Sequence, residues 1–266
     1  MTLPALFVPH GGGPCFFMDP AGGPPEPMWR PMQAYLAGLI DSLPERPRAI
    51  LIVSGHWETS VPTVQTGDRP GLLFDYYGFP EHTYHLRWDA PGAPAVARRA
   101  ATLLRAAGHE IAEDASRDWD HGVFVPMKVA VPDADIPVAQ LSLRADLDPA
   151  AHIAIGRALA PLRDEGVLIV GSGMSFHNLR ARGPAVTPVA AQWDAALTAA
   201  VTDPDPARRT ARVAGWETLP HARFAHPEAE HLLPLMVALG AGGDGPAVCD
   251  YRDTVLGWVV SGYRFG

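Results

Sequence analysis

The chain has 266 residues, 47% of them hydrophobic and 19% charged, a balance that excludes a disordered polar chain and supplies enough length for a core without disulfide support. Lys plus Arg number 21 against 29 Asp plus Glu, for a net charge of -8, and no dense basic run offers the footprint of a nucleic-acid surface. The 26 glycines and 28 prolines stop short of a low-complexity composition and predict a folded protein rich in loops.

The N-terminal stretch has neither the basic segment nor the apolar segment of a signal peptide, and no apolar run approaches the ~18–20 residues of a membrane span. Two cysteines, Cys15 and Cys249, are too few for a disulfide framework, so the expected setting is a reducing cytoplasm. Short apolar runs at 3–8, 49–53, 63–66, 136–142, 167–170, 247–251 and 255–263 read as strands. Segments of helical character at 28–43, 94–107, 149–165, 188–201 and 228–239 alternate with them, which is the pattern of an α/β layer fold. Residues 66–91 form a Pro- and Gly-rich excursion, the kind of loop that rims a site. Neither a linker nor a repeat divides the chain, so residues 1–266 read as one catalytic domain.

Histidines fall at telling places. His10 follows the first run and precedes three glycines; His56 comes just after the second, beyond Ser54-Gly55; His177 follows 167–170 across a Gly-Ser-Gly turn. Three strand-like runs thus deliver an imidazole near their carboxyl ends, where open α/β sheets place ligands. Two further clusters carry chemistry: Asp118-Trp119-Asp120-His121-Gly122, and Glu228, Glu230 and His231 near the start of an apolar helix. Imidazoles and carboxylates from separate segments suit a divalent ion with open coordination positions. No His-Glu-x-x-His helix, zinc-finger cysteine spacing or Walker sequence is present, and Gly173-Met174-Ser175-Phe176-His177 has His where a nucleophile elbow needs Gly. Mononuclear metal chemistry is the reading that remains.

The residues also resemble a known family, the class III extradiol ring-cleavage dioxygenases of the 4,5-DOPA dioxygenase type, within the LigB superfamily. The resemblance rests on Pro4-Ala5-Leu6-Phe7-Val8-Pro9-His10-Gly11-Gly12, Ile52-Val53-Ser54-Gly55-His56-Trp57 and Asp120-His121-Gly122. It continues through Ile136-Pro137-Val138-Ala139-Gln140-Leu141-Ser142, Leu162-Arg163-Asp164-Glu165-Gly166-Val167, His177-Asn178-Leu179 and Glu230-His231-Leu232-Leu233-Pro234-Leu235. Pro9 and Gly55 stand where the family often has Gly and Ala.

The resemblance implies a single α/β domain around a mixed, largely parallel sheet, often dimeric. It implies that His10, His56 and His231 hold one metal, with Glu228 or Glu230 as an alternative third ligand. His177 would be an acid/base or an added ligand, and His121 would help bind substrate or oxygen. Fe(II) is the ion expected for activity and Zn(II) the alternative bound ion. The implied partners are a small aromatic diol and O2. Phe16, Trp57, Phe176 and Tyr251 are candidates for walls around a planar ring, and Arg180 and Lys128 for recognition of a substituent. A zinc-dependent hydrolase using the same residues and a non-catalytic metal-binding relative remain the competing readings.

Overall fold

In the computed structural model, which describes residues 1–266, the apolar runs assemble into one eight-stranded sheet. The strands are β1 (Ala5–Pro9), β2 (Ala49–Thr59), β3 (Thr63–Gln65), β4 (Ala112–Asp114), β5 (Val138–Arg144), β6 (Val167–Gly173), β7 (Ala247–Val255) and β8 (Trp258–Phe265). They lie in the order β4-β3-β5-β2-β6-β1-β8-β7. The central four, β5, β2, β6 and β1, are mutually parallel. They are buried over nearly their whole lengths, which is why they read as continuous apolar runs rather than alternating ones. β8 is antiparallel to β1 and β7 antiparallel to β8, closed by a two-residue turn in which Leu256 and Gly257 both have positive φ (57° and 87°), the backbone that a tight hairpin requires.

The helices are α1 (Arg30–Ala37), α2 (Pro94–Ala106), α3 (His121–Ala130), α4 (Pro149–Leu159), α5 (Pro161–Asp164), α6 (Thr187–Val201), α7 (Pro206–Ala214), α8 (Ala222–Ala225) and α9 (Leu233–Gly242). α4 and α7 each open on a proline with an aspartate before it, Asp148 accepting from the Ala151 N–H and Asp205 from the Arg208 N–H, so the caps follow the sequence signals. α9 lies across β1, β2 and β6 and packs on α4, while α3 packs on β2 and α1. On β8, Gly262 faces Tyr35 of α1 whereas the next residue, Tyr263, bonds Thr198 of α6, which places α1 and α6 on opposite faces of the sheet.

Several boundaries differ from the sequence reading. The expected helix 149–165 breaks at Ala160 because Pro161 offers no N–H to continue it. The helix expected over 28–43 covers only Arg30–Ala37, after a 3₁₀ turn at Pro27–Trp29. The helix expected from 228 begins at Leu233, so Glu228, Glu230 and His231 lie in a strap of turns ahead of it, with the Leu232 N–H bonded to the Ala229 carbonyl.

Candidate metal centre

The strap reaches the sheet because the sheet has no side chains in its way. A Cβ on Gly171 would collide with the Pro234 carbonyl, and one on Gly173 with the His231 carbonyl. A Cβ on Gly55 would come within 3.1 Å of the Glu230 carbonyl oxygen. Glycine at these strand ends therefore permits direct backbone-to-backbone seating, and the Met174 N–H then donates to the His231 carbonyl at 3.0 Å.

His10 leaves the end of β1 with its N–H bonded to the Gly173 carbonyl (3.1 Å). His56 stands inside β2 rather than beyond it. Between Val53 and Glu58, β2 advances five residues while β5 advances two, from Leu141 to Leu143, a bulge that re-aims the extra residues. His121 is the first residue of α3. His177 follows β6 and is tied by its N–H to the Ala225 carbonyl (3.0 Å).

These placements bring three ring nitrogens together. His56 Nε2 is 3.3 Å from His10 Nε2 and 3.2 Å from His231 Nε2. The opposite nitrogens fix the tautomers of His10 and His231. Ser172 donates its hydroxyl hydrogen to the Gly122 carbonyl, so its oxygen must accept from His10 Nδ1 at 3.1 Å. His231 Nδ1 donates to Glu230 Oε1 at 2.8 Å, and His56 Nδ1 lies 3.6 Å from Asp75 Oδ2. With hydrogens on the Nδ1 atoms of His10 and His231, the Nε2 lone pairs of both point at His56 Nε2. A divalent ion resolves that arrangement: at metal–nitrogen distances of about 2.1 Å, these separations subtend about 100°. Burial, reinforced by the neighbouring imidazoles, holds His10, His56 and His231 below the usual histidine range, so each is in the neutral form that ligation needs.

A buried polar network carries this cluster. Asp120 accepts from Ser54 Oγ (2.7 Å), Gln140 Nε2 (2.6 Å) and Arg117 Nη2 (3.0 Å). Ser54 in turn accepts from the His56 N–H, and Arg117 donates to the His56 carbonyl. One carboxylate thereby joins the β2 bulge to the start of α3.

His121 and His177 flank the cluster. His121 Nδ1 donates to Asp75 Oδ1 at 2.7 Å and its backbone N–H to the same oxygen at 2.9 Å. The His177 ring stacks on that of His231 at 3.4 Å and 18°, and its Nδ1 is 3.5 Å from Glu230 Oε1. In both residues Nε2 has no partner in the chain. Burial pushes Asp75 and Glu230 upward, yet the contacts with His121 and His177 outweigh it and hold both carboxyls below their usual range. Glu230 thus sits behind His231 and beside His177, and Glu228 is exposed on the strap.

The histidines open into a cavity of about 560 Å³, within the ~300–1,000 Å³ range of small-molecule sites. The excursion at 66–91 supplies part of its wall, namely Asp75, Tyr76, Tyr77 and Phe79, and Trp29 and Arg182 line it too. The aromatic candidates of the sequence reading do not. Phe176 stacks on Trp258, Tyr251 stacks on Tyr35, Phe16 packs against Trp29, and Trp57 lies under Arg117. Lys128 donates to the Arg87 carbonyl away from the cavity, and the arginine on its wall is Arg182 rather than Arg180.

The chain is similar to proteins of one known family. The profile of the LigB family, described as the catalytic LigB subunit of aromatic ring-opening dioxygenase, matches residues 4–257. "Dioxygenase tasH" of Hapsidospora irregularis is 39% identical, covering 99% of this chain and 85% of that one. "4,5-DOPA dioxygenase extradiol" of Beta vulgaris is 42% identical over 75% of each chain. The crystal structure of an uncharacterized protein from Escherichia coli K12 superposes with a TM-score of 0.79 at 30% identity, covering 99% of this chain and 100% of that one. The family implies a metal cofactor, and the chain gathers two adjoining groups able to hold one, His10 with His56 and His121, and His177 with Glu230 and His231. The chain belongs to the LigB family of aromatic ring-opening dioxygenases, in its 4,5-DOPA dioxygenase extradiol branch.

Proposed function

We infer that the chain cleaves the ring of a catechol, DOPA-like in shape, beside its two hydroxyls, at one ion held by His10, His56 and His231. The observation that carries this reading is the meeting of three Nε2 atoms, His56 at 3.3 Å from His10 and 3.2 Å from His231, with the Nδ1 atoms of His10 and His231 hydrogen-bonded elsewhere. When bound, Fe(II) supplies Lewis acidity toward the diol and the redox capacity to unite it with O2. His177 has Nδ1 beside Glu230 and a free Nε2 on the cavity wall, so it takes a hydroxyl proton from the incoming diol and returns it when the ring opens. Asp75 turns His121 so that its Nε2 faces the same space, where it hydrogen-bonds to substrate or oxygen. Tyr76, Phe79 and Trp29 offer apolar surface for a flat ring and exclude water around it. Residues 1–266 act in this reading as one catalytic domain, in the cytoplasm; no helix of the chain is long and apolar enough to cross a membrane.

The test is anaerobic loading of the full chain with Fe(II), then addition of air and a panel of catechols, following oxygen uptake and the yellow ring-opened product. Zinc-loaded protein serves as the control, since zinc has no redox step to offer. Stoichiometric oxygen uptake with a catechol and none with zinc is the expected result. Fully iron-loaded protein that consumes no oxygen with any catechol overturns the reading.

A further inference from the structure

Three charged residues other than histidine line the cavity, Glu26, Asp75 and Arg182. Asp75 is occupied by His121 and His56. Arg182 is the sole lysine or arginine of the wall, and its guanidinium makes no hydrogen bond or ion pair within the chain. Its backbone, by contrast, is held on both sides. The Ala181 carbonyl accepts from Trp258 Nε1 at 2.5 Å and the Gly183 N–H donates to the Leu256 carbonyl at 2.7 Å. The segment 181–183 is thereby fastened to the β7–β8 turn, whose Leu256 also lines the cavity. The fastened backbone keeps this exposed, unpaired, permanently charged fork at the mouth of an aromatic pocket, where it is free to meet a planar anion.

We propose that Arg182 is a specificity-determining residue that binds a carboxylate on the ring substituent of the substrate, so that the enzyme prefers catechols with an anionic side chain over neutral ones. This rests on the catechol reading above. Glu26, the other unpaired charge of the wall, comes from the opposite part of the chain, ahead of α1, and does not neutralise Arg182.

The experiment compares wild type with Arg182→Ala, Arg182→Lys and Arg182→Glu. Iron-loaded protein is assayed on 3-(3,4-dihydroxyphenyl)propionate and on 4-methylcatechol, and zinc-loaded protein is titrated with the same two compounds by calorimetry. For Arg182→Ala we expect KM and Kd for the propionate to rise about tenfold, with kcat within about twofold, and both constants for 4-methylcatechol to stay put. Arg182→Lys recovers part of the loss, Arg182→Glu deepens it, and added salt weakens propionate binding to wild type alone. Equal effects on the two compounds, or a wild type that binds the propionate no better than 4-methylcatechol, overturn the assignment. Arg182-dependent binding to zinc-loaded protein without turnover by the iron form keeps the assignment of Arg182 and removes the ring-cleavage reading instead.

Discussion

Replacing Ser172 by alanine probes the ligand role proposed for His10, from behind the ring. Ser172 Oγ accepts from His10 Nδ1 at 3.1 Å and donates to the Gly122 carbonyl. That carbonyl is available because the residue four positions on, where a helical N–H would reach it, is Pro126. The alanine variant frees His10 to carry its hydrogen on Nε2, the atom that must ligate, and loss of such an outer partner typically weakens metal binding about 10–100-fold, or about 1.4–2.7 kcal/mol. It also leaves the buried Gly122 carbonyl without a donor, worth about 2 kcal/mol and roughly 4–8 °C in Tm for a chain of this size. Competition against a chromophoric chelator reads the first quantity, and thermal unfolding of metal-free protein reads the second. Repeating both on Pro126→Ala separates the two roles. There the new N–H at position 126 can bond Gly122, so Ser172→Ala should cost about 1 kcal/mol less stability than in the parent while the affinity loss persists. Unchanged affinity in Ser172→Ala refutes the tautomer argument, and an equal stability cost in both backgrounds refutes the part assigned to Pro126.

His177→Ala should lower kcat by about 10²–10⁴ with metal content intact; loss of the metal by elemental analysis would instead make His177 a ligand. Gly173→Ala, forced against the His231 carbonyl, should destabilise by about 1–3 kcal/mol and weaken metal binding in chelator competition, and an unchanged affinity would show that strap and sheet are not in rigid contact. Stability should also fall in mild acid. Burial lowers the His226 pKa from 6.5 to about 4, so below pH 6.5 the unfolded chain takes up a proton that the folded chain refuses. The contribution is full above pH 6.5, is lost on the way down to pH 4, and amounts to about 2 kcal/mol by pH 5. In urea titrations of chelator-treated protein at pH 7.5 and 5.0, His226→Gln should shrink the difference by that amount, and an identical pH dependence in the variant would contradict it.

What the sequence exposed of the site followed from strand physics. β1, β2 and β6 are buried on both faces, so their apolar runs end abruptly at His10, at Ser54-Gly55-His56 and at the Gly-Ser-Gly before His177. His231 came through family resemblance; periodicity placed it near a helix start, since nothing local announces that 226–232 folds as turns seated on glycine. α3 escaped notice because eight of its ten residues are buried, which erases the amphipathic stripe, and because Pro126 reads as a breaker. Asp75 and the cavity-lining Tyr76 and Phe79 sit in irregular backbone, whose course depends on distant contacts such as the Asp75 bond to His121. Phe16, Trp57 and Phe176 are nearer the site histidines along the chain, yet Phe176 and Tyr251 point into packing with Trp258 and Tyr35.

The glycine seats at 171 and 173 have an implication for altering this enzyme. Main chain rests on main chain there, so the backbone of His231 cannot move closer to the other two histidines. If His231 is a ligand, exchanging it for a shorter side chain would draw the donor atom away from them, because the backbone beneath cannot follow. A different coordination radius would have to come from the strap itself, through its length or through the two prolines, 227 and 234, that bracket it.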